Sequence, residues 1–429
     1  MPEALAVLDS GGVVGTLTRL PGSRLRLDYA ETYRARSDAI PLSLSLPTQV
    51  RSHSDAAVTP WLWGLLPESD AVLRRWARQF HAAATSPFSL LATPLGEDCA
   101  GAFRFVPPEA VTTALHRAGR VEWLTESQVA ERLRELRRDA TTWLGQDFAG
   151  QFSLAGAQAK TALYMQDGRW GIPSGAVPTT HILKPAISGL DDHDVNEHLC
   201  LDAAGRAGLT VARTQLATFD GESAVVVERY DRVMTGEGVV RVHQEDLCQA
   251  LGVHPERKYQ SEGGPGPAGV TALLRRAMPP TIADDAVWRF ADALAWNWLI
   301  AGTDAHAKNY SLLIAPGQVR LAPLYDIASA LPYRTHEKKF RLAMKLGGDY
   351  RLTTDRNPWP RTATELGVDV TALADRVRDL ARRTPDAFAE AAAAPSISAL
   401  GRDFPDRLTG LVAERAARCL RAMETTSAE

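Results

Sequence analysis

The stretch Asn297-Trp-Leu-Ile-Ala-Gly-Thr-Asp-Ala-His-Ala-Lys-Asn309, followed by Leu324-Tyr-Asp-Ile327, decides how the chain is read. Residues 286–300 are apolar almost all round, which predicts a helix buried in a core rather than lying on a surface. That helix ends at Ala301-Gly302 and delivers Asp304 and Asn309, five positions apart, into a loop. A third oxygen ligand, Asp326, follows an apolar stretch and a turn at Pro323. Phosphoryl transfer needs these parts: a carboxylate to orient and deprotonate the attacking hydroxyl, and hard oxygen ligands for Mg²⁺. An isolated Asp-x4-Asn is common and could simply cap turns. The downstream Asp and the buried helix before the loop give the catalytic reading its weight.

Working outward, Phe152-Ser-Leu-Ala-Gly-Ala-Gln-Ala-Lys-Thr161 places small residues at Ala155, Gly156 and Ala157, where backbone N–H groups can approach phosphate oxygens. It is neither a Walker A sequence nor a GxGxxG, and a small-residue turn between strands is the competing explanation. His181-Ile-Leu-Lys184 puts a lysine at the end of a β-like run, positioned either to reach nucleotide phosphates or to sit at a solvated edge. Asn196-Glu197 opens the next helix and offers a carboxylate to pair with Lys184. Val225-Val-Val-Glu-Arg-Tyr-Asp-Arg232, an apolar strand running into a charged turn, suits a hinge whose backbone at Glu228 and Tyr230 reads adenine. A strand leaving the core would look the same. His306 lies inside the Asp304 loop without a second His at ligand spacing, which favours a structural or phosphate-contacting role. Trp61, Trp63, Trp288, Trp296 and Trp298 read as core packing rather than a stacking platform for bases.

A length of 429 residues predicts two or three subdomains. Residues 5–8, 13–17, 25–29 and 41–47 read as short strands of a first unit that runs to the prolines at 107–108. Thr125 and Gln128 fit a capping box, with Val129, Leu133 and Leu136 on one helical face. Runs at 161–164, 181–183 and 224–227 are β-like, and 195–208 predicts a helix with a Gly C-cap. Beyond about residue 243 the pattern is mainly helical; 260–269 reads as a flexible loop and 425–429 as a disordered tail. The expected organisation is a β-rich subdomain at 1–108, a mixed α/β lobe at 109–231 and a mainly helical lobe at 232–429.

A net charge of -3 gives no global basic field for nucleic acid or membrane. The four cysteines form no CxxC pair and read as reduced structural thiols. With neither a signal-peptide pattern nor a run of about 18 apolar residues, the expected location is the cytoplasm.

These segments together resemble the HipA family, the kinase toxins of bacterial HipBA-type toxin–antitoxin modules. In the first unit the likeness rests on Pro41-Leu-Ser-Leu-Ser-Leu-Pro47, Trp63-Gly-Leu-Leu-Pro-Glu68 and Gly96-Glu-Asp-Cys-Ala-Gly101. Further on it rests on Ser153-Leu-Ala-Gly-Ala-Gln-Ala-Lys160, His181-Ile-Leu-Lys-Pro185, Asn196-Glu197 and Glu228-Arg-Tyr-Asp231. It continues through Glu245-Asp-Leu-Cys-Gln-Ala-Leu-Gly252, Lys258-Tyr259, Thr303-Asp-Ala-His-Ala-Lys-Asn309 and Pro323-Leu-Tyr-Asp-Ile327. Ala159 stands where an acidic residue is frequent in the family, and Tyr230 where Phe is common.

The resemblance implies an α+β, two-lobed protein-kinase-like fold with an N-terminal β-rich subdomain and a mainly helical C-terminal lobe. It implies ATP and Mg²⁺ as cofactors, Asp304 as catalytic base, and Asn309 and Asp326 as Mg²⁺ ligands. Leu154, Ala155, Gly156, Ala157 and Gln158 would form the phosphate-binding loop, with Lys184 on the phosphates. Glu228, Tyr230, Asp231 and His306 complete the expected nucleotide surroundings. Ser153 matches the family's autophosphorylation position, whose modification ejects the loop. The implied partners are a HipB-like helix-turn-helix antitoxin and a protein substrate, in characterised members an aminoacyl-tRNA synthetase. DNA would be met only through the antitoxin, and no membrane is involved. Two other readings stay open: a small-molecule phosphotransferase using the same Asp–Asn–Asp set, and a catalytically quiet corepressor subunit, against which the intact set argues.

Overall fold

Leu25-Arg-Leu-Asp-Tyr29 alternates apolar and polar residues, and in the computed structural model it is a strand whose Leu25, Leu27 and Tyr29 are buried. The structure describes residues 2–145, 152–236, 238–333 and 339–424, so the tail at 425–429 lies outside the described residues. The fold is α+β, divided into two compact units. One comprises Met1–Pro185, Ala217–Glu256 and Leu312–Val319; the other comprises Ala186–Leu216, Arg257–Ser311 and Arg320–Glu429.

The first unit opens with an antiparallel sheet of β1 (Ala4–Asp9), β2 (Gly12–Arg19), β3 (Leu25–Tyr29), β4 (Ser52–Ser54) and β5 (Arg104–Val106), in the order β4-β3-β2-β1-β5. Leu17 faces Leu5 on one side and Leu27 on the other, so their side chains share one face. Helices α1 (Asp55–Trp63) and α2 (Asp70–Gln79) supply Trp61, Leu62, Val72 and Trp76 to the same core, which also takes in Phe152 and Leu154. Each large apolar side chain buried this way contributes about 1.5–3 kcal/mol.

Residues 41–47 depart from expectation. They form no extended strand but a turn closed by an isolated Ser43–Leu46 bridge. The leucine spacing does bury Leu42 and Leu46, yet distant side chains take the amides a sheet neighbour would have used. Leu42 N–H donates to the Tyr29 phenol (2.8 Å) and Leu44 N–H to the Glu245 carboxylate (2.8 Å).

A second sheet holds β6 (Arg120–Leu124), β7 (Thr161–Gln166), β8 (Arg169–Ser174), β9 (His181–Pro185), β10 (Thr214–Phe219) and β11 (Glu222–Glu228), in the order β10-β11-β9-β7-β8-β6. Helix α3 (Glu126–Arg138) starts at the Thr125/Gln128 capping box and buries Val129 and Leu133 with Leu163, Leu183 and Val226 of the sheet. A ribbon of β12 (Arg232–Thr235) and β13 (Gly238–Arg241) leads to β14 (His243–Asp246).

The second unit is mainly helical: α4 (His193–Arg206), α5 (Pro267–Ala277), α6 (Pro280–Ile300), α7 (Trp359–Leu366), α8 (Val370–Ala392) and α9 (Phe404–Glu424). α6 is buried along 293–300 without interruption, as its composition predicts, because α8 and α9 cover it. α4 begins two residues earlier than the pattern at 195 suggested, and Gly208 adopts φ 91 just past its end. The segment 260–269 is more ordered than its Gly and Pro content implied. Gln260–Glu262 form a 3-10 turn and Pro267 occupies the first turn of α5, a position that suits its missing N–H. Among the described residues, no helix is long and apolar enough to cross a membrane, and the four cysteines are buried and unbridged.

Candidate functional site

The last carbonyls of any helix lack intrahelical partners, and in a buried helix they must find others. α6 solves this before it releases the Asp304 loop. Ala301 takes a left-handed conformation (φ 56), and its N–H and that of Gly302 both return to the Asn297 carbonyl. Gly302 is required here, because a Cβ would lie 2.1 Å from Asn297 Oδ1. Arg415 of α9, fully buried, donates to the Trp298 carbonyl through Nε (3.0 Å) and Nη2 (2.9 Å). The base of the loop is thereby tied to the end of α6 and to α9.

From that base Asp304 projects into solvent with its side chain 67% exposed. Its backbone carbonyl accepts from His306 N–H (2.8 Å) and from Asn309 Nδ2 (2.8 Å), so the five-residue spacing folds Asn309 back onto the Asp304 backbone. With its Nδ2 committed, Asn309 has Oδ1 as the atom suited to a metal. The Tyr259 phenol donates to Asp304 Oδ1 (2.5 Å), while His306 Nε2 lies 4.0 Å from Oδ2. The rings of Tyr259 and His306 meet edge to face at 5.1 Å, and His306 is buried.

Asp326 is half-buried and has φ 56, a left-handed conformation that Asp tolerates better than most residues. The residue before it fixes its place: the Tyr325 phenol donates to the Lys308 carbonyl (2.7 Å) and bonds the Ser311 hydroxyl (2.7 Å). Asp304, His306, Asn309 and the Asp326 segment are thus gathered within the second unit. One carboxylate and one amide oxygen fit Mg²⁺, which binds few protein ligands and keeps waters and phosphate oxygens.

The first unit carries the other expected residues. Ser153 is fully buried; its hydroxyl donates to the Leu65 carbonyl (2.8 Å) and its N–H to the Asp98 carbonyl (3.0 Å). Leu154 is buried in the core of the first sheet. The loop continues through Ala155, Gly156 (φ 106), Ala157 and Gln158, with the Gly156 carbonyl accepting from Glu68 N–H (3.1 Å). Lys160 Nζ donates to the Ala155 carbonyl (2.7 Å) and lies 5.1 Å from the centre of the Trp143 ring. Lys184 is buried in β9 opposite Val225 of β11. Glu228 ends β11 exposed, opposite His181, and the half-buried Tyr230 gives its phenol to Gln244.

Asp231 is placed otherwise than expected. Its carboxylate is buried and committed to Arg229 Nη2 (2.9 Å), Arg232 Nη1 (2.9 Å) and the Gly101 N–H (2.8 Å). Arg232 also grips Asp98 (2.9 Å), which accepts from the Thr179 hydroxyl (2.7 Å). Burial alone would push the Asp231 carboxyl up, but Arg229 and Arg232 outweigh it and hold the group well below the usual carboxylate range. Asp231 therefore anchors the 228–231 turn, and its side chain is spent there.

Sequence reasoning did not single out Tyr259, which bonds Asp304, or Lys160, which bonds the Ala155 carbonyl. Both fell inside segments carrying the resemblance, but Tyr259 is 45 positions from the carboxylate it bonds, and no spacing rule reaches that far.

Comparison with known proteins places these residues in context. The model of the HipA-like C-terminal domain matches residues 152–388, and that of the HipA N-terminal domain matches residues 5–106. The Sinorhizobium fredii (strain NGR234) protein Y4mE is 35% identical over 400 residues, 90% of this chain and 91% of that protein. The serine/threonine-protein kinase toxin HipA of Shewanella oneidensis is 28% identical over 383 residues, 83% of this chain and 82% of that one. The solved complex of Shewanella oneidensis MR-1 HipA, HipB and operator DNA contains a chain of the same fold, with a TM-score of 0.83, 23% identity and 98% coverage of both chains.

Proposed function

The chain belongs to the HipA family, and on that premise we propose that it is a Mg·ATP-dependent serine/threonine protein kinase serving as the toxin of a HipBA-type module. The observation that carries this reading is the Asp304 loop: an exposed carboxylate on the end of an immobilised helix, oriented by Tyr259 and backed by the folded-in Asn309. Asp304 takes the proton of the acceptor Ser or Thr hydroxyl as its oxygen attacks the γ-phosphorus. The bond from that phosphorus to the bridging oxygen breaks, and ADP leaves with the electron pair. Asn309 and Asp326 hold Mg²⁺, which when bound neutralises charge on the phosphate oxygens. Residues 154–158 and Lys184 bind the ATP phosphates, and backbone groups at Glu228 and Tyr230 meet the adenine. Asp231 contributes by fixing that turn, and His306 by packing under Tyr259.

Self-inactivation at Ser153 fits its surroundings. The hydroxyl is buried against the Leu65 carbonyl, so the segment has to leave its place to be phosphorylated. About two added negative charges then oppose its return to a buried position beside the loop that receives ATP. A HipB-like helix-turn-helix antitoxin is the partner that the solved HipA–HipB–operator complex supports, with DNA met only through it. The protein substrate, in keeping with the family, is a cytoplasmic translation component such as an aminoacyl-tRNA synthetase.

Radiolabelled γ-phosphate transfer to Ser or Thr of a protein acceptor tests the reading, with Asp304→Asn as control. Transfer by the wild type and none by the variant is expected. Transfer to small hydroxyl compounds alone, or equal transfer by Asp304→Asn, would overturn it.

A further inference from the structure

We infer that Asn196 is a positioning residue for phosphoryl transfer, acting through Ser329 to lock α4, the Asp326 segment and the end of α6 into one arrangement. The inference rests on the kinase reading above and adds a device that holds its reacting groups in place. Asn196 lies in α4 and is fully buried. Its amide makes a two-point contact with a single backbone residue: Nδ2 donates to the Ser329 carbonyl (2.8 Å) and Oδ1 accepts from the Ser329 N–H (3.0 Å). A side-chain amide offers a donor and an acceptor side by side, whereas an ionised Asp has no donor and Leu has neither, so neither reproduces this pairing.

Ser329 is itself a junction. Its hydroxyl donates to the Ile300 carbonyl (2.6 Å) and accepts from Leu331 N–H (3.2 Å), and the next residue, Ala330, donates its N–H to the Ala301 carbonyl (3.1 Å). Ile300 and Ala301 are the last residues before the Asp304 loop, and Ser329 is the third residue after Asp326. Two terminal carbonyls of α6 are therefore capped by the segment that carries Asp326, and Asn196 holds that segment by its backbone. Tyr333 reinforces the contact, its phenol accepting from Asn196 Nδ2 (3.3 Å) and donating to the Asp191 carbonyl (3.1 Å). The residue after Asn196 is Glu197, so one turn of α4 carries both the clamp and a carboxylate that sequence reading marks for the nucleotide side.

Such a chain of buried bonds predicts a specific pattern of loss. Removing the Asn196 amide leaves two backbone groups of Ser329 without partners in a buried place, which frees the Asp326 segment and loosens the base of the Asp304 loop. The chemical step depends on Asp304 and Asp326 being held to within a fraction of an ångström, so kcat falls more than substrate affinity.

The test uses the full chain with Asn196→Ala, Ser329→Ala and the double variant, read by steady-state phosphate transfer and by amide hydrogen exchange over residues 297–309 and 324–333. Asn196→Ala should lower kcat by about 10- to 100-fold and change KM for ATP by less than about threefold. Ser329→Ala should lower kcat by about tenfold, and the double variant should be no worse than about twofold beyond Asn196→Ala, because both cut one path. Exchange should accelerate in both windows for each variant. Multiplying effects, or unchanged kcat with unchanged exchange, would overturn the inference. If Asn196→Ala does not fold, Ser329→Ala decides alone on the same two readouts. If the wild type transfers no phosphate, the kinase reading has failed. The exchange data still decide whether the clamp couples the two windows, since unchanged protection there removes it.

Discussion

Gly156→Ala probes the candidate phosphate loop with a single methyl group. Gly156 has φ 106, a conformation that L-residues rarely adopt, and a Cβ built there lies 2.6 Å from Lys160 Nζ. The collision by itself is cheap, since a lysine head can swing aside, although it would give up its bond to the Ala155 carbonyl. The backbone strain is not cheap: about 1–3 kcal/mol for a non-glycine residue held in such a region. That cost must surface in one of two places. If the loop relaxes in the free protein, binding ATP has to restore the strained form, and affinity falls about 5- to 150-fold. If the loop cannot relax, because Leu154 ties it into the core, the same energy appears as lost stability. Calorimetric titration with Mg·ATP and chemical denaturation together capture both. The sum of the two losses should be about 1–3 kcal/mol. Affinity within about twofold of wild type together with unchanged stability would refute the reasoning, since a methyl group would then be tolerated where the backbone forbids it.

Three further outcomes are expected. Asp231→Asn leaves the buried Arg229 and Arg232 with one shared carboxylate, Asp98, in place of two, and should destabilise the fold by about 3–5 kcal/mol, read as a lower denaturation midpoint; a near-neutral effect would contradict the structural role given to Asp231. Glu245 is buried, and although Leu44 N–H opposes the effect, burial pushes its carboxyl up to about 8. Its native pKa exceeds its unfolded value, so its contribution is fully present below about pH 4.5 and is lost as pH rises to about 8. Glu245→Gln should remove a slope on the order of 2–5 kcal/mol across that window. Burial depresses the His181 and His243 side chains to about 4, which gives the opposite slope at lower pH, so the variant must be compared with wild type at each pH. Ala301→Gly relieves the left-handed alanine at the end of α6 and should raise stability by about 0.5–1 kcal/mol in thermal melts.

Much of this architecture was legible in local sequence because local physics decides it. The run 286–300, apolar almost all round, forms a buried helix because only a core can cover apolar side chains on every side, and the Thr125/Gln128 pair caps α3 through bonds spanning three residues. The five-residue interval from Asp304 to Asn309 fits the turn that lets the amide bond back to the Asp304 carbonyl. What was not legible depends on partners far along the chain. Residues 41–47 have strand alternation but turn instead, since their amides meet Tyr29 and Glu245. Asp231 looks like part of a polar hinge until the distant Gly101 N–H reaches its carboxylate and Asp98 takes the other side of Arg232. Tyr259 and the Asn196–Ser329 pair carry no periodic signal, because a hydrogen bond between distant residues leaves no spacing to read.

The most direct test of the central claim is peptide mass spectrometry of the purified chain after incubation with Mg·ATP, beside Asp304→Asn treated identically. Phosphate on Ser153 in the wild type and none in the variant is the predicted result. A wild type that binds ATP yet carries no phosphate, or a variant that is phosphorylated equally, would contradict the account of Asp304 as the base of a self-modifying kinase.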